Sequence, residues 1–237
     1  MSIAEKYATL KDEKIPKVYA AGKKSEYDEF WDNHPIAKGY VNGTNLFSGA
    51  GWNDVTFKPK YDIKLGNCYM VFKACAVTDL VERLKECGVI LDFSNATNFY
   101  YAFGETKITH IGEIHLTHSN FSSATTGTIS MFSYSQNLHT IDKIIVNNAG
   151  TTRFSNDMFI YATSLANITF EGVIGYSLNF QWCPLTRESI TNIVEHFSPT
   201  VTEQTVTFKK SAKEAAFTDD EWSELIATKP NWTFSLI

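Results

Sequence analysis

The chain has 237 residues, of which 43% are hydrophobic and 20% charged, and its net charge is −5. This is the composition of a folded protein with a sizeable core, not of a disordered chain. The acidic balance argues against a general nucleic-acid binder, and no apolar run reaches the roughly 18 residues a membrane span requires, so neither nucleic acid nor membrane insertion is expected.

Taken in chain order, residues 1–34 come first. "MSIAEKYATLKDEKIPKVY" is charged throughout and lacks the apolar core of a signal peptide, so a product made and assembled in the cytoplasm is expected. "PKVYAAGKKSEYDEFWD" permits helix from Pro16 to Asp32, with Pro16 suited to a first turn. Ile3, Tyr7, Leu10, Val18 and Phe30 trace a broken apolar stripe through this segment. Two readings stand side by side: an assembly helix that joins copies of the chain, or a helix that caps the domain beginning at residue 35.

Residues 35–184 carry a recurring grammar. In "ISMFSYSQNLHTIDKIIV" a Met-Phe pair is followed by turn-forming residues and then by an Ile every third position. Phe132 has Ser135, Leu138, Ile141 and Ile144 at offsets of 3, 6, 9 and 12; Phe159 has Ala162, Leu165 and Ile168 at the first three of these. Phe47, Phe72, Phe103 and Phe180 open similar runs, with Ala50, Cys75, Thr106 and Cys183 three residues on. The anchors lie 25, 31, 29, 27 and 21 residues apart. A drifting period of this size predicts stacked units, each too small to bury its own apolar side. The grammar predicts strands at "IGEIHL" (Ile111–Leu116), "IDKIIV" (Ile141–Val146) and "ITFEGVI" (Ile168–Ile174), rich in β-branched residues, and a short helix in "TDLVERLKECG" closed by Gly88. "SNFSSATTGT" and "NNAGTTRFSND" read as loops.

Residues 185–237 read as a helix-strand-helix-strand cap. "LTRESITNIVEHF" is an amphipathic helix with Thr186 and Ser189 as candidate caps, and "TVTFKK" is a strand. Thr218 and Glu221 have the spacing of a capping box for a helix that stops before Pro230, and "WTFSLI" is a last strand.

The run of Phe, a small residue, Leu and Ile from about Asn45 to Trp182 resembles the BspA-like leucine-rich repeats. It departs from that family in its longer insertions and in lacking a regular asparagine ladder. The resemblance implies an α/β leucine-rich-repeat solenoid of about six irregular repeats, flanked by an N-terminal helical segment and an α+β C-terminal cap. The "VYAAGKKSEYDEFWD" start, the repeats and the "FTDDEWSELIATKPNWTFSLI" end also look like proteins of gut Firmicutes and their tailed bacteriophages. That likeness implies a virion component, such as a tail, fibre or baseplate protein assembled in the bacterial cytoplasm. Homo-oligomers are expected, a trimer first, joined through Ile3, Tyr7, Leu10, Val18 and Phe30. The competing expectation is a cytoplasmic protein–protein scaffold.

The search for chemistry returns little. There is no nucleophile elbow, phosphate-binding glycine loop or HExxH motif. His110, His115 and His118 cluster around Glu113, but on a strand 110 and 115 fall on opposite faces, so they read as solvent-facing polar residues and not as metal ligands. Cys68, Cys75, Cys87 and Cys183 form no CxxC pair and read as reduced thiols. The expectation is a non-enzymatic protein without cofactor or metal. The candidate contact surface is aromatic. Tyr134, Tyr161 and Trp182 each lie two residues after an anchor, an arrangement suited to holding a glycan or a protein surface.

Overall fold

The computed structural model describes residues 31–38, 42–49, 57–117 and 127–237. These form a mixed α/β fold with three small parallel sheets. The first pairs β1 (Ile63–Lys64) with β2 (Leu91–Asp92), on either side of helix α1 (Leu80–Cys87). The second runs β3 (His110–His115), β4 (Thr140–Ile145), β5 (Asn167–Glu171). The third runs β6 (Leu178–Phe180), β7 (Gln204–Phe208), β8 (Trp232–Leu236). Helix α2 (Arg187–Glu195) lies between β6 and β7, and helices α3 (Lys210–Ala216) and α4 (Asp219–Ala227) between β7 and β8. No described helix is long and apolar enough to cross a membrane.

This corrects the expected leucine-rich-repeat solenoid, because the strands do not make one continuous sheet. The sheet breaks where unlike elements take the next strand's place. After β5 that element is α2. Ser189 Oγ accepts the Ile168 N–H at 3.0 Å, and the Asn192 side chain accepts the Phe170 N–H at 2.6 Å and donates to the Phe170 carbonyl at 3.4 Å. Side chains on a helix thus satisfy a strand edge that would otherwise recruit a neighbour. The anchor spacings, which differ by up to ten residues, leave room for such substitutions. The expected C-terminal helix-strand-helix-strand order also gains a helix, since α3 follows directly on β7.

The anchors themselves form a column. Phe47, Phe72, Phe103, Phe132, Phe159, Phe180 and Phe208 are all buried, with successive ring centroids 5.0, 5.5, 5.6, 5.3, 4.8 and 5.9 Å apart and interplanar angles of 29° or less. The residues three after the anchors, Cys75, Thr106, Ser135, Ala162 and Cys183, are buried as well, and the four cysteines are free thiols. Burial pushes the Cys183 thiol far above its ordinary pKa.

The Ile-every-third pattern has its own cause. In β3 and β4 the second and fifth residues are both buried, so Ile111 pairs Ile141 and Ile114 pairs Ile144, with the residues between them more exposed. β5 continues both rows with Ile168 and Phe170 across a register irregularity. Gly172 ends β5 at φ +97°, where an added Cβ would lie 2.2 Å from the Val146 carbonyl oxygen, closer than any side chain fits. Helix α1 buries Leu80 and Leu84 and closes on left-handed Gly88, whose N–H donates to the Lys85 carbonyl at 3.1 Å. The Thr218–Glu221 capping box opens α4, with the Glu221 carboxylate accepting the Thr218 N–H at 2.8 Å.

Candidate functional site

The turns that carry the anchors also carry the candidate row. Around each of Phe47, Phe72 and Phe103 the residues two before and two after have positive φ, at +50° to +58°. That alternation aims every second N–H along the stack toward the next turn. Met70, Phe72 and Ala74 donate to the Tyr100, Ala102 and Gly104 carbonyls at 2.9, 2.8 and 2.9 Å. Tyr101, Phe103 and Glu105 donate to Ile129, Met131 and Ser133 at 2.9, 2.8 and 2.8 Å. Phe132 and Tyr134 continue the ladder to Met158 and Ile160. At Ala74, Glu105 and Tyr134 the position two after the anchor is therefore fixed by backbone hydrogen bonds, and its side chain is carried on the outside of the turn.

Three consecutive turns place aromatic rings there. Tyr134 is 48% exposed, while Tyr161 and Trp182 are half-buried. The Tyr134 and Tyr161 rings lie 4.9 Å apart at 30°, and Tyr161 and Trp182 lie 4.3 Å apart at 36°. The rings thus cover one another's faces, so the middle of the row shows mainly ring edges to solvent. Glu105 holds the same offset one turn earlier, where its carboxylate accepts the Tyr101 hydroxyl at 2.5 Å. Lys210 holds it one turn later, two residues after Phe208.

Beyond Trp182 the row opens into a surface cleft of about 630 Å³ whose lining includes Trp182, Lys209, Lys210, Ser211, Glu214 and Ile237, with Thr163 and Gln181 at its side. β7 lies beside β6 with Phe208 opposite Phe180, and this register brings Lys209 and Lys210 to the cleft. Lys210 Nζ is 3.8 Å from Glu214 Oε1, whereas Lys209 makes no ion pair among the described residues. The Trp182 indole N–H is closed to solvent and has no acceptor among the described residues. Leaving such a donor unpaired costs about 1–3 kcal/mol, a cost of holding this ring in place.

Ending the repeats at Phe180, as the sequence grammar does, hides this cleft. Carrying the count on to Phe208 finds Lys210 at the same offset. Tyr100, which also falls outside the anchor grammar, stacks with Tyr69 at 5.1 Å and not with the row.

The histidine region is an ion-pair network. His110 Nε2 is 2.7 Å from Asp142 and Nδ1 is 3.3 Å from Glu82, so the ring ties β3 to β4 and α1. His115 bonds Glu113 at 2.6 Å, and Lys143 bridges Glu113 and Glu171 at 3.7 and 2.8 Å. Among the described residues no three His, Cys, Asp or Glu side chains are grouped to hold a metal. His118 and the proposed oligomerisation residues Ile3, Tyr7, Leu10, Val18 and Phe30 lie outside the described residues.

No family model, curated protein or solved structure matches this chain.

Proposed function

We propose that this chain is a non-enzymatic recognition module, a tail, fibre or baseplate component of a phage particle, that holds a host-surface glycan through the Tyr134–Tyr161–Trp182 row and the cleft at its end. The observation that carries the reading is the repetition itself. One solvent-facing offset bears three mutually packed aromatic rings, the first of them, Tyr134, on a turn tied by the backbone ladder. Binding then costs little side-chain ordering, which is what a preorganised contact surface needs. The virion setting rests on the likeness of the two ends and the repeats to phage-encoded proteins of gut Firmicutes. Homo-oligomers joined by residues 1–34, with a trimer as first choice, would multiply weak single contacts about 10²–10⁴-fold where geometry lets copies engage together.

The test is adsorption of the purified chain to host cell walls, with and without enzymatic removal of surface polysaccharide. Binding that disappears with the polysaccharide, and that falls at least tenfold in a Tyr134→Ala, Tyr161→Ser double variant with unchanged melting, supports the reading. Binding to cytoplasmic protein in place of the wall would favour a cytoplasmic scaffold.

A further inference from the structure

We infer that the cleft beside Trp182 takes a saccharide bearing a carboxylate, with a sugar ring seated on the outer face of the indole and the acid group on Lys209. The inference rests on the recognition reading above and names the chemistry of its ligand.

The middle of the aromatic row offers no flat platform, because Tyr161 is covered on one side by Tyr134 and on the other by Trp182. Trp182 is different. The next residue at its offset is Lys210, and no other ring packs on the indole among the described residues. Trp182 lines the cleft, and an indole face turned toward it would offer what the C–H side of a pyranose seeks. The surroundings suit the hydroxyl rim of such a ring. The side chains of Thr163, Gln181 and Ser211 make no hydrogen bond to the described residues, and Glu214 supplies an acceptor. About 630 Å³ is room for a short oligosaccharide and lies within the usual range of ligand clefts.

The charge comes from Lys209. Lys209 is a half-buried residue that makes no ion pair among the described residues, although the chain as a whole carries −5. Lys210 beside it already has Glu214. An anionic substituent on the sugar would meet one uncommitted cation at the rim of an apolar-floored cleft, where a charge-assisted hydrogen bond is strong. A neutral sugar would leave it unused.

The experiment uses the full chain and calorimetric titration with tetramers of galacturonic, glucuronic and mannuronic acid, each beside its carboxyl-reduced neutral counterpart. At least one acid tetramer should bind tenfold or more tighter than its neutral partner, and the gap should narrow as salt rises. Lys209→Gln should remove that gap while keeping neutral binding. Ser211→Asp, at an exposed site, should reverse it without disturbing the fold. If neutral tetramers bind as well as acidic ones, or if Lys209→Gln keeps the preference, this inference falls and the recognition reading stands. If no tetramer of either kind binds, both the inference and the glycan reading fall.

Discussion

Left-handed backbone at non-glycine residues recurs through the anchor turns, at Asn45, Met70, Ala74, Tyr101, Glu105, Ser130, Tyr134 and Tyr161. Each such residue carries a steric cost of about 1–2 kcal/mol, which the ladder hydrogen bonds offset. Gly49 fills the same offset as Ala74 at φ +52°, so the first turn already uses the relaxed choice. Ala74→Gly should therefore be neutral or stabilising by up to about 1 kcal/mol in chemical denaturation. A loss of about 1 kcal/mol or more would contradict the left-handed assignment. His34 is a second residue with a measurable signature. Burial lowers its pKa to about 3, and its Nδ1 accepts the Ile36 N–H at 3.3 Å. The folded ring stays neutral while the unfolded one protonates near 6.5, so its contribution is full above about pH 6.5 and is lost as pH falls toward 3. The slope should approach about 1.4 kcal/mol per pH unit between about pH 6 and 5, above the range of the carboxylates. His110 works oppositely. Burial disfavours its charge, but Asp142 and Glu82 outweigh burial and raise its pKa. Its contribution is present at low pH and fades as pH rises through that raised value. His34→Gln should flatten the acid-side slope, and an unchanged slope would place the proton uptake elsewhere.

Among the elements, helix α2 does the least expected work. It was legible as an amphipathic helix with Thr186 and Ser189 as candidate caps, and Thr186 is the N-cap, but no role beyond the helix end was read for Ser189 or Asn192. In the fold they close the edge of β5. Asn192→Ala should cost about 1–3 kcal/mol, because it strips the Phe170 N–H and carbonyl of their partner. A cost near zero would mean that water or a neighbouring strand reaches that edge. The strands β3, β4 and β5 were readable because Ile111, Ile114, Ile141 and Ile144 show their burial in their spacing, and each starts within a residue of its expected place, whereas the short β1, β2 and β6 were not expected. Where one sheet ends and another begins was not readable. That depends on which polar side chain bonds which backbone group, and polar side chains have no period. Helix α3 was missed for a related reason: only Ala212 and Lys213 of its seven residues are buried, too few to print an apolar stripe.

Across the whole molecule, a column of seven phenylalanine rings runs from Phe47 to Phe180 on β6 and Phe208 on β7, and its outer offset carries the candidate site. The column was legible because one ring per turn must recur. The cleft was not, because Lys209 and Ser211 reach it only through the parallel pairing of β6 with β7, 28 residues along the chain. The N-terminal side of the column has a consequence for the 1–34 boundary. Trp31 is fully buried with its ring 6.2 Å from Phe57, and the His34 ring lies parallel to Phe47 at 6.2 Å. Deleting residues 1–34 removes both rings, so that truncation should lose at least the roughly 3–5 kcal/mol of a buried aromatic, and an unchanged melting point would show that this end is dispensable. The most direct test of the account sets one column ring against one row ring. Thermal melting and cell-wall adsorption would be measured for Phe132→Ala and Tyr134→Ala side by side. Phe132→Ala should lose about 3–5 kcal/mol of stability. Tyr134→Ala should melt within about 2 °C of the parent, a shift of well under about 1 kcal/mol, and bind poorly. If Tyr134→Ala instead melts as early as Phe132→Ala, or binds as well as the parent, the separation of a structural column from a recognition row is wrong.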